Sequence, residues 1–303
     1  MIDNMLICGD NLETMKKLYE EHGSFIDLIY IDPPFCSNRN YGIDKKGFED
    51  KWDGGLETYI PWISERLQWM HKLLKNTGSI FIHLDWHAMH YVKIEMDNIF
   101  GYDNFRNDIV WLFGGKGLKN VKSNLVRNYN TITFYSKAER DVKLFLKSGV
   151  ISESVLKRFG KYMNSEYKIP FKALKDSNDK VELERAVASF RKTHGRDPNP
   201  EDIVRDYSEG MLLKDTWDDI PIVRESHTYA EYTGYPTQKP EALLERIIKL
   251  TTTTDDVVAD FFSGSGTTIS VAQKLGRRWI GVDQNPQAIE IATKRLDQIT
   301  KEK

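Results

Sequence analysis

The apolar run Phe25-Ile26-Asp27-Leu28-Ile29-Tyr30-Ile31 ends in Asp32-Pro33-Pro34-Phe35. A carboxylate, two rigid rings and an aromatic face therefore stand where a buried strand must stop. β-Branched and aromatic residues favour the strand, and two prolines cannot continue its ladder. In open α/β sheets ligands bind beyond the C-terminal ends of the strands, which makes Asp32, Pro33, Pro34 and Phe35 the candidate catalytic residues.

A second constellation lies near the other end of the chain. The strand-like Val257-Val258-Ala259 runs into Asp260-Phe261-Phe262-Ser263-Gly264-Ser265-Gly266-Thr267-Thr268, a glycine-rich turn that opens a helix. Glycine lets backbone approach a ligand closely, and a helix N-terminus favours phosphate or carboxylate. The next strand ends in Asp283, 23 residues after Asp260, where an acid can accept both hydroxyls of a ribose. Taken alone the turn could be structural punctuation; the spacing to Asp283 turns the reading toward an adenosine pocket. Ile269 stands where the dinucleotide fingerprint wants a small residue, which disfavours a nicotinamide cofactor, and no Gly-Lys-Ser/Thr follows, which excludes a P-loop.

The elements that must position these residues alternate. Strand Met5 to Gly9, a helix near Leu12 to Tyr19, the Asp32 strand, a helix near Tyr59 to Lys75 and strand Ser79 to Leu84 make the first block. A helix over Glu241 to Leu250, the Val257 strand, helix Thr267 to Leu275, strand Arg278 to Asp283 and helix Pro286 to Ile299 make the last. The pattern predicts an α/β protein with a Rossmann-like, doubly wound, mostly parallel sheet. The middle breaks the rhythm and predicts an inserted, mainly helical region, giving a division into 1–113, 114–215 and 216–303. Within the insert Val181 to Thr193 is helical in pattern, Gly195 to Pro200 is a turn, and Glu201 to Tyr207 is expected as a second short helix. A helical hairpin is expected there over a helix-turn-helix reader.

Composition narrows the class. At 303 residues, 40% hydrophobic and 12% aromatic, the chain can bury a proper core. It has no apolar run of membrane-spanning length and no secretory leader, which predicts a cytoplasmic protein with no membrane partner. Cys8 and Cys36 are the two cysteines, in no metal-like spacing, and read as small semi-buried residues. The net charge of -2 hides an uneven distribution: between Gly114 and Lys180 there are 15 Lys and Arg against 6 Asp and Glu. That segment is a candidate phosphate-binding surface, interleaved with Tyr129, Phe134, Tyr135 and Phe159, although such runs are often only solvated faces.

Together the motifs resemble those of S-adenosylmethionine-dependent DNA amino-methyltransferases, whose catalytic Asp/Asn/Ser-Pro-Pro-aromatic motif matches Asp32 to Phe35. Here the catalytic motif precedes the cofactor motif, as in the circularly permuted β class. Tyr235-Pro236-Thr237-Gln238-Lys239-Pro240 looks like that class's further cofactor motif. The resemblance covers the two outer blocks, about 200 residues. It implies S-adenosylmethionine as cofactor, with Asp260, Gly264 and Gly266 along its methionine and ribose, Asp283 on the ribose hydroxyls and Asp10 on the adenine amino group. Phe262 and Thr267 belong to the same turn, and Thr237 and Lys239 would complete the pocket. The family often has proline where Phe261 stands, a departure that can reshape the pocket wall. The insert sits where a target-recognition region belongs.

An exocyclic amine on adenine or cytosine is a poor nucleophile because its lone pair is delocalised into the ring. Asp32 can accept one N–H and the Pro33 carbonyl the other, favouring a pyramidal nitrogen aimed at a sulfonium methyl for direct in-line transfer. The target must leave the duplex, and Phe35 offers a face for the extruded base. Cysteine chemistry at cytosine C5 is not supported, since neither cysteine follows a proline. The resemblance implies a lean toward adenine N6, since the family's cytosine-N4 enzymes more often carry serine where Asp32 stands; cytosine N4 is the near alternative, and methylation of protein or RNA amines or a non-enzymatic DNA-binding regulator are further ones. His83, Asp85, Trp86 and His87 end a neighbouring strand and can touch substrate, with no metal expected at the two histidines. Tyr41 and Trp52 lie in a loop able to close over DNA, though packing is the commoner fate of such rings. Double-stranded DNA is the expected partner, with a homodimer and a cognate restriction nuclease as expectations of the resemblance.

Overall fold

A computed structural model describes residues 2–41, 48–113, 125–139, 142–147, 151, 153–177, 179–223 and 231–301. The start of the basic segment, 114–124, lies outside the described residues. The chain forms two compact units, Met1–Phe145 with Asp215–Lys303, and Leu146–Lys214.

The larger unit is organised around Ile26–Ile31, a strand buried along its whole length. Its sequence is apolar except for Asp27, whose carboxylate accepts the Val257 N–H at 3.0 Å and the Lys75 ammonium at 2.7 Å. In chain order the strands of this unit are β1 (Met5–Cys8), β2 (Ile26–Ile31), β3 (Arg39–Tyr41), β4 (Phe48–Asp50), β5 (Leu74–Leu84), β6 (Phe105–Leu112) and β7 (Tyr129–Ser136). Strands β8 (Lys168–Pro170) and β9 (Ile203–Asp206) belong to the second unit, and β10 (Thr216–Trp217), β11 (Val257–Asp260) and β12 (Arg278–Asp283) to the first. The helices are α1 (Asn11–His22), α2 (Leu56–Leu73), α3 (Met89–Phe100), α4 (Glu153–Phe159), α5 (Phe171–Lys175), α6 (Lys180–His194), α7 (Glu241–Thr251), α8 (Thr267–Lys274) and α9 (Pro286–Lys301).

Among the described residues eight strands form one sheet in the order β1-β12-β11-β2-β5-β7-β6-β10. The run from β1 to β5 is parallel, and β7 is antiparallel to both neighbours. This is the doubly wound, mostly parallel arrangement read from the sequence. The connections leave β2 toward β5 and leave β11 toward β12, so the winding reverses between β2 and β11. Right-handed crossovers then place α1, α2 and α3 on one face and α7, α8 and α9 on the other. Such a reversal opens a crevice at the C-terminal ends of the two strands.

The helices bury the stripe their spacing dictates. Tyr59, Ile63, Leu67, Met70 and Leu73 recur at helical intervals along α2 and pack with Ile29, Ile31, Ile80 and Ile82 of the sheet. Asn285 caps α9 by accepting the Gln287 N–H at 3.0 Å, as expected for the residue before a first-turn proline.

The second unit has its own small core of Phe159, Ile169, Leu174 and Ala186. Glu182 is buried in it and paired with Arg205 at 2.8 Å and Arg158 at 3.4 Å. The helix read over Val181 to Thr193 is α6, capped by Asp179 and ended by Gly195 in the left-handed region. The second helix read over Glu201 to Tyr207 is instead strand β9, so neither a helical hairpin nor a helix-turn-helix forms. Its β-branched Ile203 and Val204 sit opposite β8, with Ile169 facing Arg205, and the ladder satisfies backbone groups that a single helical turn would leave open. Residues 125–139 and 142–145, placed in the insert by sequence, lie in the larger unit, where β7 enters the main sheet. Among the described residues no helix is long and apolar enough to cross a membrane.

Ile29 is fully buried in the core shared by the sheet and α2. Ile29→Ala is expected to lower the unfolding free energy by about 2–5 kcal/mol, read as a lower urea midpoint with unchanged slope.

Candidate active site

The sheet stops at Ile31, and the loop that follows is built around one carboxylate. Asp50, fully buried at the end of β4, accepts the backbone N–H groups of Phe35, Cys36 and Ser37 at 3.1, 2.9 and 2.8 Å. It also takes the Ser37 hydroxyl at 2.6 Å and the Trp52 indole N–H at 3.0 Å. Three successive N–H groups form an anion nest, and the strain of left-handed Cys36 and Asn38, with φ of 59° and 54°, is held by these bonds. The Phe35 ring lies nearly parallel to His83, with centroids 6.1 Å apart.

Asp32 is the first residue past the strand. One carboxylate oxygen, Oδ2, accepts from the Lys239 ammonium; the other, Oδ1, is buried and has no hydrogen-bond partner among the described residues. Burial pushes the Asp32 carboxyl up, Lys239 pulls it back and Asp85 adds to the rise. Lys239 is delivered by a loop that Gln238 locks, accepting from Thr233 N–H at 2.9 Å and donating to the Glu231 carbonyl at 2.6 Å. Thr237 in that loop has φ of 62°.

The glycine turn stands beside it, at the end of β11. Asp260 accepts the Phe262 N–H at 3.0 Å and the Thr268 hydroxyl at 2.5 Å, and burial raises its carboxyl to about 7. Asp283 closes the turn by accepting from Gly264 N–H and Asn285 N–H, both at 2.8 Å. A Cβ on Gly264 would come within 3.2 Å of the Tyr235 ring. Both glycines have a positive φ, 49° and 74°, but a Cβ on Gly266 would lie 2.7 Å from Ala292 Cβ, which makes it a packing residue between α8 and α9. The Thr267 hydroxyl accepts from Arg295 at 2.9 Å. Asp10 caps α1 through Glu13 N–H at 3.0 Å and faces Arg66 at 3.5 Å, and Asn11 donates to the Phe261 carbonyl at 2.9 Å.

These groups converge on one cavity of about 750 Å³. Every catalytic and cofactor candidate named from the sequence lines it except Gly266. Asp32, Asp260 and Asp283 all carry carboxyls raised by burial, against the Lys239 ammonium and the Arg66 guanidinium in the wall. A ligand with positive charge, hydroxyls for Asp283 and a face for Phe262 or Trp62 suits this donor set, and the chemistry of S-adenosylmethionine fits it.

Asp50, Tyr30, Trp62 and Arg66 also line the cavity, without a motif that marks them in the sequence, and Tyr235 joins them from the start of the Tyr235–Pro240 motif. An acid flanked by Phe48 and Trp52 was the available signal for Asp50. Tyr41 and Trp52, placed by sequence in a loop able to close over DNA with packing as the commoner fate, line the cavity, and Trp52 packs edge-on against Tyr59 and Trp62. His83 is fully buried and bonded to Tyr30 and Asn130, whereas His87 is held by Asp85 and stacked on Trp86, so the two histidines serve different neighbours. Among the described residues no group of three His, Cys, Asp or Glu could hold a metal ion. Cys8 is exposed and Cys36 buried, in place of the semi-buried pair expected.

A family model described as DNA methylase, of the N6/N4 type, matches residues 26–294. The chain belongs to that family. It is 30% identical to DNA adenine methyltransferase YhdJ of Escherichia coli (strain K12) over 96% of this chain and 82% of that protein. Type III modification subunits also match, and the chain spans half of their length. Among solved structures, PvuII DNA methyltransferase (cytosine-N4-specific) has a TM-score of 0.62 at 19% identity, covering 99% of this chain and 91% of that one. The M1.HpyAVI–SAM complex has a TM-score of 0.55 at 18% identity, covering 97% and 98%. The family's Rossmann-like methyltransferase fold is the one this chain adopts.

Two expectations follow from the geometry. The folded protein holds a proton on Asp260 up to about pH 7, against an ordinary value of 3.8. The stability this gives is full below about pH 4 and is lost as pH rises to about 7. Asp260→Asn is therefore expected to melt above the wild type at pH 8 and near it at pH 4, as thermal scans at both pH values will show. Asp50→Asn loses the charge that gathers the nest. It is expected to lower kcat for methyl transfer about tenfold or more while cofactor binding, measured by calorimetry, stays within about threefold.

Proposed function

We infer that this protein transfers the methyl group of S-adenosylmethionine to the exocyclic N6 of an adenine extruded from double-stranded DNA. The observation that carries the reading is the buried, unpartnered Oδ1 of Asp32 beside Pro33 and Phe35. A buried acceptor without a donor is costly, and a substrate amine supplies the missing hydrogen.

The bound cofactor supplies an electrophilic methyl on a cationic sulfur. Asp283 and the backbone around Gly264 hold its ribose, and Asp260 and Lys239 face its methionine end. Asp10, at the start of α1, receives the adenine amino group. Asp32 accepts one N–H of the target amine and the Pro33 carbonyl the other, localising the lone pair on nitrogen. The amine's displaced proton passes to Asp32, whose raised value suits it to accept. Phe35, braced by His83, offers its face to the flipped base.

Adenine is favoured over cytosine because the aspartate at 32 and the kinship with an adenine methyltransferase agree. In the same proposal the region 114–215 reads the target sequence. The chain works in the cytoplasm, with a second copy of itself and a cognate restriction nuclease as partners; light scattering tests the pairing.

The deciding experiment incubates the protein with isotopically labelled S-adenosylmethionine and unmethylated DNA of mixed sequence, then identifies labelled nucleosides by mass spectrometry. Label in N6-methyldeoxyadenosine is expected. Label in N4-methyldeoxycytidine replaces the substrate, and absence of label from DNA overturns the reading. Asp32→Ala is expected to lower kcat about 100- to 1000-fold with cofactor binding retained.

A further inference from the structure

Behind the Asp32–Phe35 loop lies a buried hydrogen-bond chain that the mechanism above does not use. The Asn130 side-chain amide nitrogen, on β7, is 3.0 Å from His83 Nε2, and His83 Nδ1 is 2.9 Å from the Tyr30 hydroxyl. His83 is fully buried, edge-on to Trp111 and stacked on Phe35. Tyr30 is 1% exposed, yet it lines the cavity.

The order of protons along this chain is dictated by its first member. An amide NH₂ can only donate, so His83 Nε2 must accept and the ring proton must sit on Nδ1. Nδ1 then donates to the Tyr30 oxygen. The Tyr30 hydroxyl hydrogen has to point elsewhere, and among the described residues His83 is its one hydrogen-bond partner. Burial holds the imidazole neutral, helped by the nearby Lys239 ammonium, and keeps the phenol protonated beside Asp32 and Asp260.

We propose that Tyr30 is a further substrate-binding residue, donating its O–H to the unprotonated ring nitrogen next to the target amine, with His83 and Asn130 as positioning residues that fix its direction. The inference rests on the amine-methylation reading above. The shared acceptor is N1 of adenine or N3 of cytosine. Tyr30 is the last residue but one of β2, Asp32 is the first residue past it, and both line the cavity, so the amine and its neighbouring ring nitrogen meet an acceptor and a donor in turn. A base with a hydrogen or a methyl on that ring nitrogen would be rejected.

The test is a double-mutant cycle on DNA carrying adenine or 1-deazaadenine at the methylated position, with wild type and Tyr30→Phe. Wild type is expected to lose about 10- to 100-fold in kcat/KM on the deaza base, Tyr30→Phe to lose a similar factor on adenine, and the variant to show no further loss on 1-deazaadenine. Equal sensitivity of both proteins to the deaza base overturns the proposal. Asn130→Asp turns the donor into an acceptor. It should move the ring proton to Nε2, visible as exchanged ¹⁵N shifts of the two His83 nitrogens, and should match Tyr30→Phe in its loss on adenine. Unchanged shifts overturn the positioning role. If wild type methylates cytosine instead, 3-deazacytosine replaces 1-deazaadenine in the same cycle; if it methylates neither base, the amine-methylation reading fails while the shift measurement still decides the proton order.

Discussion

The site depends on the pairing of β2 with β11. Leu28 faces Val258 and Ile29 faces Ala259 across that ladder, joining segments about 230 residues apart in the chain. Asp27 pins the same junction from below by accepting the Val257 N–H. Because both strands run the same way, their C-terminal ends deliver Asp32 and Asp260 to one crevice. A register slip of one residue would turn the two acids to opposite faces of the sheet.

That juxtaposition concentrates negative charge in a buried place. Asp32, Asp260 and Asp283 raise one another's affinity for protons or are raised by burial, and the fold offsets this with N–H donors and with Lys239. A cationic ligand completes what the protein leaves incomplete. The same acids thus weaken the empty fold and select what fills it, the familiar conflict between stability and function at a binding site.

Much of this was legible in the chain. Strands bounded by Pro33-Pro34 and by Gly264 and Gly266, a spacing of 23 residues from Asp260 to Asp283, and helical stripes such as that of α2 follow from local sequence, and the structure carries them. What escaped are residues whose role is set by distant partners. Asp50 is an ordinary acid until the loop of Phe35 to Ser37 folds over it, and Tyr30 is one more strand aromatic until Asn130 orders the proton on His83. Gly266 belonged to the glycine signature, yet its contact with Ala292 shows a glycine kept for helix packing. The stretch 201–207 misled because four residues of β-branched and charged character suit a helix turn or a strand equally, and only the partner strand β8 chooses.

The unit of residues 146–214 closes its own core around Ile169 and neutralises its own buried acid, Glu182. A segment that satisfies itself internally is free to drift. Substitutions on its surface that spare Ile169 and the Glu182 pairs leave that small core intact. Evolvability, in such a protein, is a matter of which hydrophobic contacts are shared and which are not.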